Sequence, residues 1–131
     1  MDKSQILSAF NDHFTEFVED IQRVFPQNTD IATLLSAVTK IRKINPKLVI
    51  KVFNEHVIGS YDLQINQGDI NFFINNDYKK DLADVGSSNM ILEKIDLLRQ
   101  PIREMDQDEQ AKVMKYIQNL SKLCGLYNTT F

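Results

Sequence analysis

The sequence predicts an all-α fold, a compact bundle of about five to six helices forming a single domain over residues 1–131. Three observations predict it. Apolar residues recur at steps of three and four through most of the chain, the spacing that builds one face of a helix. Only four glycines and three prolines occur in 131 residues, too few for a loop-rich or all-β chain. The one alternating stretch, Tyr61, Leu63 and Ile65, has no second stretch to pair with, and a lone strand leaves its backbone groups unsatisfied.

The first helix is expected from about Ser4 to Phe25. Ile6, Phe10, Phe14, Phe17, Val18, Ile21 and Val24 form its apolar face, and Asp12, Glu16, Glu19 and Asp20 its acidic one. Pro26 ends it, because a residue before proline avoids helical geometry. Thr29 or Asp30 then caps a second helix with Ile31, Leu34, Leu35, Val38, Ile41 and Ile44 inward. Asn45 and Pro46 have the chemistry of an N-cap and first helical residue. They open a third helix to about Ile58, apolar at Leu48, Val49, Val52, Phe53 and Val57, with Gly59 as its stop.

Tyr61–Gln67 is expected to be a short helix. Gly68 follows as a left-handed C-terminal glycine and Asp69 as the cap of the next turn. Ile70, Phe73 and Ile74 share one side of that turn, which leaves Phe72 pointing elsewhere. Residues 75–89 are the most polar connection. A fifth helix is expected over about Ser88–Arg99, with Ile91, Leu92, Ile95 and Leu98 inward, ended or kinked by Pro101. Asp106 and Glu109 are spaced as a capping box for the last helix. Its stripe is Val113, Met114, Ile117, Leu120, Leu123 and Cys124, with Gly125 as its expected end. The expected core is Phe10, Phe14, Phe17, Ile21, Leu34, Val38, Leu48, Val52, Phe73, Leu92, Ile95, Ile117 and Leu120.

Composition narrows the function classes. A net charge of −3 gives no overall attraction to nucleic acid or anionic membrane. Cys124 is the single cysteine, so no internal disulfide forms and a reducing compartment is expected. The opening residues lack the basic and apolar regions of a signal peptide. No apolar run reaches the roughly 18 residues of a membrane span. The triplets at Asn119 and Asn128 are therefore read as chance matches to a glycosylation acceptor.

No catalytic constellation stands out. His13 and His56 fall on different helices without ligand spacing, so no metal site is expected, and His13 reads as a solvated residue beside Asp12. An EF-hand aligned on Gly68 would place Leu63, Ile65 and Ile74 at oxygen-ligand positions, which excludes it. No glycine-rich phosphate loop or nucleophile elbow occurs. Glu16 and Asp20 read as solvation of a helix face, and Cys124 as a buried structural thiol. No catalytic residue, cofactor site or metal site is assigned.

One polar feature rises above this background. Lys40, Arg42, Lys43, Lys47 and Lys51 form a basic corner opposite the acidic first helix. A helix starting at Pro46 would add backbone amides for a phosphate or carboxylate. The alternative is a solvated face that complements acidic residues of this chain or a neighbour. Phe72, with Tyr78 on its rim, is the second candidate contact for a partner.

The phrases "VFPQNTDI", "IRKINPKLVIKVFNEHV", "INQGDINFFINNDYKKDL", "IDLLRQPIREM" and "MKYIQNLSKL" together resemble a family of small helical proteins from large nucleocytoplasmic DNA viruses of algae and protists. The resemblance runs through nearly the whole chain in order, and "NPKL" and "GDINFFI" are its most distinctive parts. It brings no activity and no catalytic residues. It implies a virus-encoded protein in the host cytoplasm or viral factory, and packaging in the virion. The expected function is accordingly a non-enzymatic protein–protein interaction protein, as a minor virion component or assembly factor, with itself or another viral protein as partner. The alternatives are a nucleic-acid-associated protein using the basic corner and, third, an enzyme of unknown class. No membrane insertion is expected.

Overall fold

A computed structural model describes residues 2–71 and 97–130. Every regular element in these residues is helical, and the fold is an all-α bundle. The elements are α1 (Lys3–Val24), α2 (Thr29–Ile44), α3 (Leu48–Val52), a π-helical turn (Phe53–Ile58), α4 (Gly59–Asn66), α5 (Arg99–Glu104) and α6 (Gln107–Thr129). The expectations for Phe72, Phe73, Ile74, Tyr78, Ile91, Leu92 and Ile95 lie outside the described residues, as does the expected helix over residues 88–99 as far as residue 96; Leu98 is described and is buried, in the turn that leads into α5.

Two long helices organise the bundle. α1 packs against both α6 and α2, α3 rests on α1 and α2, and α4 and α5 pack on α6. Capping boxes start both long helices. Asp2 accepts from the Gln5 amide at 2.8 Å while Gln5 accepts from the Asp2 amide at 2.9 Å. Asp106 and Glu109 repeat the arrangement on α6, as their spacing predicts. Each box satisfies amides that the first turn of a helix otherwise leaves unpaired.

The buried face of α1 is the predicted stripe. Ile6, Phe10, Phe14, Phe17, Val18 and Ile21 are buried, whereas Val24, the last residue of the helix, is 39% exposed. Its rings form a ladder: Phe10 meets Phe53 edge-on at 5.6 Å, Phe14 meets Phe17 at 6.1 Å, and Phe17 reaches Tyr116 of α6 at 5.4 Å. Such separations are the favourable range for aromatic pairs. Ile31, Leu34 and Val38 of α2, Val49, Ile50 and Val52 of α3, and Val113, Met114, Ile117, Leu120 and Cys124 of α6 join the core, as do Phe53, Val57, Ile65, Leu98, Ile102 and Met105. Leu48 is half-buried and packs at its edge.

Several local expectations are corrected. Asn28 caps α2, because its side chain reaches the amides of both Asp30 and Ile31; Thr29 and Asp30 are already helical. Ile44 is 84% exposed, since the chain leaves the helix at Asn45 and the stripe has no neighbour there. Gly59 does not stop α3. Its φ of −57° is helical, and the chain continues through the π turn into α4, so Leu48–Asn66 is one rod with a widened middle turn. Gly125 is likewise interior to α6, which runs on to Thr129. Pro101 lies in the first turn of α5, where a missing amide costs nothing, and is buried there. Gly68 does take the expected left-handed conformation, with φ +72°, and Tyr61–Asn66 is helical as expected.

Candidate functional site

The basic corner is built by the turn between α2 and α3. Asn45 organises it. Its carbonyl accepts from the Leu48 amide at 3.2 Å and its side chain accepts from the Lys47 amide at 3.3 Å. The predicted helix start at Pro46 is therefore displaced to Leu48, and Asn45 itself takes up two of the amides that were expected to face a ligand. The anion cradle at Pro46 is not formed.

The five basic residues divide into three groups. Arg42 is half-buried and pairs with Asp12 of α1, so it belongs to the fold's own charge complement. Lys40 and Lys43 project from α2 into solvent. Lys47 and Lys51 sit one helical turn apart and line a groove against the end of α6. Phe72 and Tyr78 lie outside the described residues.

The groove has a volume of about 230 Å³ and is lined by Lys47, Ile50, Lys51, Asn54, Tyr127 and Asn128. Buried Ile50 forms part of its floor. Asn128 donates to the Asn54 side chain at 2.8 Å, tying α6 to the π turn. The Lys3 ammonium sits 4.6 Å from the centroid of the Tyr127 ring, a cation–π contact that brings a further positive charge to the same end of the bundle. Among the described residues no carboxylate lines the groove. Among the described residues neither Lys47 nor Lys51 makes an ion pair.

Tyr127, Lys3, Asn54 and Asn128 are site residues that sequence reasoning missed. The signal for Tyr127 was present. Leu120, Leu123, Cys124 and Tyr127 continue the spacing of three and four, and only the expectation that Gly125 ends the helix hid it.

A second cleft lies between the C-terminal half of α1 and the start of α6. It has a volume of about 260 Å³, with Phe17, Ile21, Val24, Met105, Val113 and Tyr116 as its apolar lining. The Tyr116 hydroxyl donates to Asp20, which also pairs with Arg23. Burial, then the nearby Glu16 carboxylate, raises the Tyr116 pKa above its ordinary value. His13 is corrected here. It is half-buried rather than solvated, its ring lies 4.8 Å from that of Tyr116, and its buried Nε2 has no hydrogen-bond partner among the described residues.

Cys124 is 1% exposed, and burial pushes its thiol pKa up to about 12. A thiol held protonated in this way is a poor nucleophile. Among the described residues no cluster of three or more His, Cys, Asp or Glu could hold a metal ion. No helix among them is long and apolar enough to cross a membrane. Compared with protein-family models, curated proteins and solved structures, the chain matches none.

Proposed function

We propose that this chain is a non-enzymatic protein-interaction module that docks an acidic segment of a protein partner on its basic corner. One observation carries the reading: Lys40, Lys43, Lys47 and Lys51 are exposed on one helical corner without ion-pair partners among the described residues. Uncompensated charge of one sign on ordered helices steers and selects a partner of opposite sign. The sequence resemblance supplies the proposed setting, a viral factory or virion, where the module acts as a minor component or assembly factor.

The test is peptide display on the folded chain. Selected peptides should be enriched in Asp and Glu. Their binding should be lost in a Lys43→Glu, Lys47→Glu, Lys51→Glu variant whose melting curve is nearly unchanged, because exposed charge changes usually alter stability by less than about half a kcal/mol. Selection of neutral or basic peptides would refute the reading. Tighter binding of a single-stranded oligonucleotide than of any peptide, with affinity falling steeply in salt, would replace it with the nucleic-acid alternative.

A further inference from the structure

We infer that the groove between Lys47 and Tyr127 receives one aromatic side chain of the acidic partner segment, while carboxylates flanking that side chain meet Lys47 and Lys51. This rests on the acidic-partner reading and assigns it a specific anchor. Three features of the groove lead to it.

The first is size. A volume of about 230 Å³ falls below the roughly 300–1,000 Å³ of sites that enclose free small molecules. It suits a single large side chain delivered by a peptide. The second is the lining. Buried Ile50 closes the floor and half-buried Tyr127 gives an aromatic wall, and an aromatic ring entering over that floor can make an offset or edge contact with Tyr127. The third is charge. Lysines border the groove, Lys3 adds its charge at Tyr127, and among the described residues no acidic side chain lines it. A ring alone would leave those ammonium groups without partners, and a carboxylate alone would leave the apolar walls wet. An aromatic residue with Asp or Glu beside it satisfies both.

The groove is also held open by the fold. Asn54 and Asn128 bond to each other rather than pointing idle into it, and Ile50 is fixed in the core at 2% exposure. Little ordering of the receptor then opposes binding, which is the condition under which a small anchor pocket is effective.

Fluorescence anisotropy with the full chain and synthetic peptides tests the assignment. The reference peptide is a twelve-residue Asp/Glu-rich sequence with one central Phe. Replacing that Phe by Ala should weaken binding by about tenfold, the effect of losing a well-seated anchor. Replacing the acids by Asn and Gln should weaken it further. Tyr127→Ala should abolish the difference between the Phe and Ala peptides while retaining the charge-dependent part, and Tyr127→Phe should preserve the difference. Nuclear Overhauser contacts from the peptide ring to Ile50 and Tyr127 in the unmodified protein give a readout independent of any variant's folding. Equal binding of the Phe and Ala peptides, with charge dependence intact, would overturn the groove assignment and leave the acidic-partner reading standing. Failure of every acidic peptide to bind would overturn both.

Discussion

Asn11, in the middle of α1, donates its side-chain amide to the carbonyl of Pro46 at 2.9 Å, joining positions 35 residues apart. Asn11 is 5% exposed. The next residue, Asp12, pairs with Arg42. Two adjacent residues of α1 thus hold both sides of the α2–α3 turn and fix the corner from which Lys47 and Lys51 project. Asn11→Asp should be the informative change. It keeps the shape, removes the donor, and sets a carboxylate against a carbonyl oxygen. The expected cost is about 1–3 kcal/mol, the range for leaving a buried polar group unsatisfied. Thermal unfolding checks it, and an Asn11→Asp protein as stable as the parent would mean that this bond contributes nothing.

Phe10 is fully buried between the rings of Phe53 and Phe14, and Val24 is 39% exposed at the end of the same helix. Both belong to one apolar stripe in the sequence. Phe10→Ala should cost about 3–5 kcal/mol because it removes a large buried ring and leaves a cavity. Val24→Ala should stay within about half a kcal/mol, as for exposed positions generally. Chemical denaturation of the two variants measures the contrast directly.

The reach of the sequence is clear from such pairs. Periodicity found the helices and most of their buried residues because burying an apolar face is what holds each helix in place. It failed where a local signal had to be weighed against a tertiary one. Gly59 and Gly125 look like helix ends in sequence, yet the packing of Val57 and Ile65, and of Cys124 and Tyr127, carries each helix through its glycine. Asn45 looks like a helix cap, yet it closes a turn and the helix starts at Leu48. The basic corner was legible as charge. The groove was not, because its walls come from residues 47–54 and 127–128 and its added charge from Lys3, and no spacing rule joins them. Asn11 was half legible: it lies on the apolar side of α1, between Leu7 and Phe14, but its acceptor could not be read from the chain.

The glycines yield a prediction of sign. Gly125 is helical, and a methyl group built there meets nothing within 4 Å. Gly125→Ala should stabilise the protein by about 0.5–1 kcal/mol, the helix-interior preference of alanine over glycine. Gly68 has φ +72°, where a side chain is strained, so Gly68→Ala should destabilise by about 1–2 kcal/mol. Melting temperatures should move in opposite directions. A lower melting temperature for Gly125→Ala would show that α6 does not continue through this position.

Cys124 provides a prediction in pH. Its thiol is buried in the core, and burial raises its pKa from the ordinary 9.0 to about 12. The folded state therefore holds the proton more tightly than the unfolded state does. Below about pH 9 the thiol is protonated in both states and folding stability does not depend on it. As pH rises from about 9 toward 12, the unfolded chain releases the proton while the folded chain retains it, so stability falls through that window. Cys124→Ala removes this component, so its stability should decline less steeply over the same range, after allowance for the volume lost in the core. Thiol-modifying reagents supply the second measurement. At neutral pH a disulfide reagent should react with native protein far more slowly than with protein unfolded in denaturant, since attack needs both access and thiolate. A native protein that reacts as fast as the unfolded chain would place Cys124 at the surface and contradict the packing of α6 against α1.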